Sequence, residues 1–79
     1  MIFVYALVSE LNGDIYVGMS ADVAKRLKEH NAGKSRYTKA YRPWKVLFTE
    51  VHPDRVAARK RERYLKSGVG KEFLKSLVP

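Results

Sequence analysis

The 79-residue chain contains no cysteine. Disulfide staples and thiolate metal sites are therefore excluded, no disulfide-linked partner is expected, and a reducing cytoplasm is the expected location. Long apolar runs are also missing. The longest, Ile2 to Val8, is too short to cross a bilayer, and without a basic n-region or a small-residue cleavage site it does not read as a signal peptide. Acids are scarce, with eight Asp plus Glu against sixteen Lys plus Arg. There is no paired-carboxylate motif, no Gly-rich phosphate loop, no zinc-spaced histidine cluster and no G-x-S-x-G elbow. No internal repeat, low-complexity tract or linker interrupts the chain.

What remains is a chain for one domain, residues 1–79, with one core. A fold of this size buries only about 60–65% of its unfolded surface. Hydrophobic residues at 46% beside 30% charged place it with globular rather than disordered chains. The net charge of +8 points to a polyanion: DNA, RNA or an acidic membrane. No helix pairs a wide apolar face with a basic one, which disfavours the membrane. Solubility alone is the bland alternative.

Ile2-Phe3-Val4-Tyr5-Ala6-Leu7-Val8 is apolar on both parities, the pattern of a strand covered on both faces. Asn12-Gly13 signals a two-residue hairpin turn into a second strand, Asp14 to Gly18. That turn would pair Ser9 with Tyr16 and put Tyr16 on the face of Tyr5, as would any longer loop of the same parity. Ser20 is the expected N-cap of a helix ending near Asn31, with Gly33 as its stop. On it Val23 and Leu27 form the apolar stripe, flanked by Arg26 and His30 at i, i+4. A basic segment interleaved with aromatics follows, in which Thr38 to Tyr41 predicts a short helical turn. Lys45 to Val51 reads as a third strand and His52 as a loop residue. Asp54 caps a helix from Arg55 to Ser67 closed by Gly68, and Lys71 to Leu77 suggests a last one. The β-β-α-β-α-α order implies an α+β domain, a small three-stranded antiparallel sheet with helices packed on it.

Glu62 stands out among the candidate groups. Ala58, Glu62 and Leu65 share the inward edge of their helix, and Arg59, Lys60, Arg61 and Arg63 surround the carboxylate. A carboxylate at a core boundary needs a partner: one of those cations, or a Mg²⁺ ion that takes oxygen ligands. Arg26 is either a surface cation or a planar fork for phosphate. His30 is either a cation favouring its helix dipole or a site residue. Tyr5 and Tyr16 are either packing residues or site hydroxyls. In the basic segment, Lys34, Arg36, Lys39 and Arg42 would track a backbone while Tyr37 and Trp44 stack on unpaired bases; the bland version is a Tyr41 and Trp44 packing cluster with solvated cations.

Together these residues resemble a known family, the GIY-YIG nucleases. The likeness is to their small, UPF0213-like members, similar to the N-terminal (URI) nuclease domain of excinuclease C. Val4-Tyr5 matches the first tyrosine motif, Tyr16-Val17-Gly18 the second, and Arg26 to Asn31 the arginine helix. Tyr37-Thr38 and Arg42-Pro43-Trp44 match the loop of the small members, and Ala58 to Glu62 the glutamate helix. The first motif reads Phe3-Val4-Tyr5 rather than Gly-Ile-Tyr, and no asparagine follows Asn31, where many relatives have one after the glutamate helix.

The resemblance implies a sheet with its first strand central and a metal-assisted phosphodiester hydrolase. Tyr5 would be the general base or would orient the attacking water, supported by Tyr16. Arg26 would hold the scissile phosphate, with His30 assisting in positioning or proton transfer. Glu62 would hold one Mg²⁺ or Mn²⁺ ion. A tyrosine with a free pKa of about 10 needs nearby positive charge to act as a base, which Arg26 and the metal would supply. The expected function is cleavage of nucleic acid, DNA foremost, in repair or recombination. The alternative is a non-catalytic nucleic-acid-binding module that works through a partner.

Overall fold

β-Branched and aromatic residues fill both parities of Ile2–Ser9. In the computed structural model, which describes residues 1–79, this segment is β1, the middle strand of a three-stranded antiparallel sheet ordered β2-β1-β3. β2 is Ile15–Ser20 and β3 is Trp44–His52. Every residue from Val4 to Ser9 is buried, as a strand covered on both faces requires. On one face, α1 (Val23–Asn31) sets Val23 and Leu27 against Tyr5, Leu7 and Trp44. On the other, α2 (Arg55–Lys66) and α3 (Gly68–Lys75) set Ala58, Leu65 and Leu74 against Ile2, Val4, Ala6 and Val8. A 3-10 turn, Thr38–Tyr41, lies between α1 and β3 where a helical turn was expected.

The hairpin is wider than the Asn-Gly signal suggests. Leu7 pairs with Tyr16 and Val8 with Ile15, so Glu10 to Gly13 form the connection. Ser9 Oγ accepts from the backbone N–H groups of Leu11 and Asn12, and Asn12 Oδ1 accepts from Asp14 N. These bonds hold a four-residue loop. Within this loop only Gly13 has a positive φ, +80°, whereas a two-residue I′ turn would demand one at Asn12 as well. The parity is unchanged, so Tyr5 and Tyr16 share the α1 face.

Three boundaries also differ from the sequence reading. Ser20 pairs with Phe3 in the sheet, so the N-cap of α1 falls to Asp22, whose Oδ1 accepts from Lys25 N at 3.0 Å. Gly68 opens α3 instead of merely closing α2, because the Ser67 hydroxyl accepts from Gly70 N and caps the new helix three residues earlier than expected. His52 is the last residue of β3, not a loop residue: it pairs with Ile2 and its Nε2 lies 2.7 Å from Glu50 Oε1.

Candidate active site

The site begins where β1 and β2 pair Tyr5 with Gly18. A Cβ at position 18 would lie 2.7 Å from the Tyr5 hydroxyl and 2.9 Å from its Cζ. Only a glycine there lets the phenol lie across the edge strand. Tyr16, two residues earlier on β2, brings its ring within 6.3 Å of the Tyr5 ring and 4.8 Å of the His30 ring.

α1 supplies the next two groups from one side. His30, in its last turn, is fully buried. Its Nε2 is 3.2 Å from the Tyr5 hydroxyl and its Nδ1 is 2.8 Å from Thr38 Oγ1. Thr38 is also fully buried, and its carbonyl accepts from the Trp44 indole N–H at 2.7 Å. Tyr5, His30 and Thr38 thus form one buried hydrogen-bonded row. Arg26, one helical turn before His30, sets its guanidinium beside the Tyr5 hydroxyl and donates from Nη1 to Glu29 Oε1 at 2.6 Å.

Burial dominates the electrostatics of this row. It pushes the Tyr5 phenol above its ordinary value, and the Glu62 charge adds to the rise; Arg26 opposes it without reversing it. Arg26 lowers the phenol as expected, by its hydrogen bond and its charge, but the cost of desolvating a phenolate is larger. Burial, followed by the Arg26 charge, pushes the His30 imidazole down. His30 is thus a neutral buried ring rather than an exposed cation for the helix dipole. Arg26 is held still more firmly protonated by Tyr5 and Glu29.

Glu62 approaches from α2, on the other face of the sheet. Its side chain is 12% exposed, with Oε1 3.6 Å from Arg59 Nε and Oε2 3.5 Å from Lys66 Nζ. Both separations exceed those of a good charge-assisted hydrogen bond. Of the four cations expected around it, only Arg59 is a partner, while Arg61 turns instead to Glu50 at 3.0 Å. No group of three or more His, Cys, Asp or Glu converges anywhere. A lone, loosely paired carboxylate suits a hard cation that draws its other ligands from water and phosphate.

The basic segment divides. Trp44 is 2% exposed and packs with Tyr5 and Leu7, so the expected base-stacking role is corrected: burial leaves it no free ring face. Tyr37 is 51% exposed, and its ring lies 5.5 Å from that of Tyr41. Lys34, Arg36, Lys39 and Arg42 lie at the surface, with the Arg42 guanidinium over Gly33. Thr38 matches the loop of the small family members, but its contact with His30 is not announced by the sequence. Nothing in its spacing of eight from His30 signals a contact, which arises only because the 3-10 turn folds back on α1.

Residues 1–74 match the model of the GIY-YIG catalytic domain. The UPF0213 protein of Streptococcus sanguinis is 43% identical over 56 residues, covering 70% of this chain and 64% of that protein. A UPF0213 protein of Staphylococcus epidermidis is 36% identical over 76 residues, covering 95% and 92%. A third, from Desulfotalea psychrophila, is 38% identical over 66 residues, covering 81% and 59%, so the chain spans less than two thirds of two of these relatives. The UPF0213 protein of Bacillus halodurans, solved by solution NMR, is 34% identical and aligns over 98% of this chain and 85% of that one, with a TM-score of 0.57.

Proposed function

Because the chain belongs to the GIY-YIG family, a nuclease-type family, we propose that it is a metal-dependent endonuclease that hydrolyses phosphodiesters of nucleic acid, DNA in particular. The observation that carries this reading is the Tyr5–His30 hydrogen bond beside Arg26, with the Glu62 charge acting on the same hydroxyl from α2.

Tyr5 and His30 work as a pair. The attacking water gives its proton to the Tyr5 oxygen while Tyr5 gives its own to His30 Nε2. No free phenolate has to form, which burial would oppose. With Thr38 Oγ1, 2.8 Å away, accepting from His30 Nδ1–H, Nε2 is left as the acceptor the transfer needs. Tyr16 packs against His30 and keeps the pair in place. Arg26 is too firmly protonated to donate a proton, so it acts by charge, holding the phosphoryl oxygens as negative charge builds on them. Glu62 would hold Mg²⁺ or Mn²⁺, and that ion would supply Lewis-acid stabilisation of charge on the departing oxygen. Arg59 and Lys66, at 3.6 and 3.5 Å, would compete with the ion for that carboxylate.

Cleavage of a branched and a plain DNA duplex, with Mg²⁺, with Mn²⁺ and with EDTA, tests this. Cutting should need both the ion and Glu62, and Glu62→Gln should abolish it while DNA binding persists. A Glu62→Gln protein that cuts like the wild type would refute the metal assignment. The cation pairs already on Glu62 favour one second reading, a binding module that works with a partner. On that reading the wild type binds DNA, with salt-sensitive affinity, and cuts neither substrate. A place in DNA repair or recombination and a cytoplasmic location complete the proposal.

A further inference from the structure

A second basic surface lies beyond the residues assigned above. Met19 follows Gly18 on β2, and with Val56 it floors a groove of about 340 Å³ walled by Arg55, Arg59, Lys60 and Arg63 of α2. Arg55, Arg59 and Arg63 recur every fourth residue, which sets them in one row at steps of about 6 Å. Like charges at this spacing destabilise a helix. Only Arg59 has a carboxylate partner, Glu62 at 3.6 Å, and Arg55, Lys60 and Arg63 have none. The cations of residues 34–42, by contrast, share their side of the molecule with Asp14 and Glu29.

Helix stability does not account for such a row, and solubility would be served by cations on any face. A bound polyanion does account for it. We propose that this groove seats one strand of the nucleic acid next to the cleavage site, an inference that rests on the nucleic-acid reading above. The four cations take its phosphates, and its sugars lie on Met19 and Val56. Arg59 marks where the groove reaches Glu62, so the strand runs from the α2 row to the Tyr5 hydroxyl along the β2 edge. The substrate is then gripped mainly through α2 rather than through the loop of residues 34–42.

The test is binding of a labelled 20-nucleotide DNA strand by fluorescence anisotropy, across a NaCl series and in EDTA. Arg55→Gln/Arg63→Gln is compared with the charge-matched control Lys25→Gln/Lys45→Gln, all four positions being exposed. The groove variant should lower the slope of log affinity against log salt by about 1.4, from two lost contacts at about 0.7 each on a single strand. The control should keep the wild-type slope. Equal loss in both variants, an unchanged slope in the groove variant, or no binding by the wild type would overturn the proposal. Because EDTA prevents metal-dependent cutting, an inactive nuclease would leave this result intact, and a failed groove would leave the Glu62 test intact.

Discussion

Gly18 shows how much one missing methyl group decides. Its absent Cβ leaves room for the Tyr5 hydroxyl, and the phenol ring has nowhere to retreat because Tyr5 is only 1% exposed. Gly18→Ala should therefore cost about 1–3 kcal/mol of stability by overpacking. It should also slow cleavage by about 100-fold, because a small misplacement of a reacting group has that effect. Urea denaturation and single-turnover cleavage check the two parts. His30 makes a second prediction, in pH. Its folded pKa lies below the ordinary value of 6.5, so the unfolded chain binds this proton first as pH falls. The stability from a neutral His30 is present above about pH 6.5 and is lost as pH drops below it. Cleavage needs the same neutral ring, so its acid limb should have a midpoint below about 6.5. A cleavage rate that already falls between about pH 8 and 7 would contradict the proton path.

At the scale of elements, the ends of helices were less legible than their middles. The apolar stripe of α1 and the Ala58–Leu65 edge of α2 follow from 3.6-residue periodicity and appear as expected. The cap did not, because Ser20 and Asp22 are both good capping residues and only strand pairing chooses between them. Asp22→Ala should cost about 0.5–2 kcal/mol. Ser20→Ala, which loses the bond the hydroxyl accepts from Asp22 N and the longer one it donates to Asp22 O but leaves the helix cap in place, should cost less than half as much in the same thermal melts. The reverse order would place the cap where the sequence suggested. Gly70 shows the same dependence on partners. A Cβ there would strike the Tyr64 carbonyl oxygen of α2, so the early start of α3 reflects how closely the two helices pack.

For the whole molecule, charge is the property to measure. A net +8 on 79 residues should make nucleic-acid affinity fall steeply with salt through counterion release. With about six or more phosphates neutralised, raising salt from 50 to 200 mM should cost about 10³-fold. A titration that stays flat over that range would remove nucleic acid as the partner. No helix is long and apolar enough to cross a membrane.

The sequence by itself determined the antiparallel α+β architecture, the central place of β1, the shared face of Tyr5 and Tyr16, and the spacing of Arg26 and His30. These follow from local periodicity and from the parity of a hairpin, which survives a change in loop length. The tertiary structure decided what each group experiences. It buried Trp44, which the sequence offered equally as a stacking platform. It buried Tyr5, which raises its phenol despite Arg26, and gave His30 a threonine partner. Desolvation and contacts between elements depend on atoms brought together from distant parts of the chain, and no local pattern encodes them.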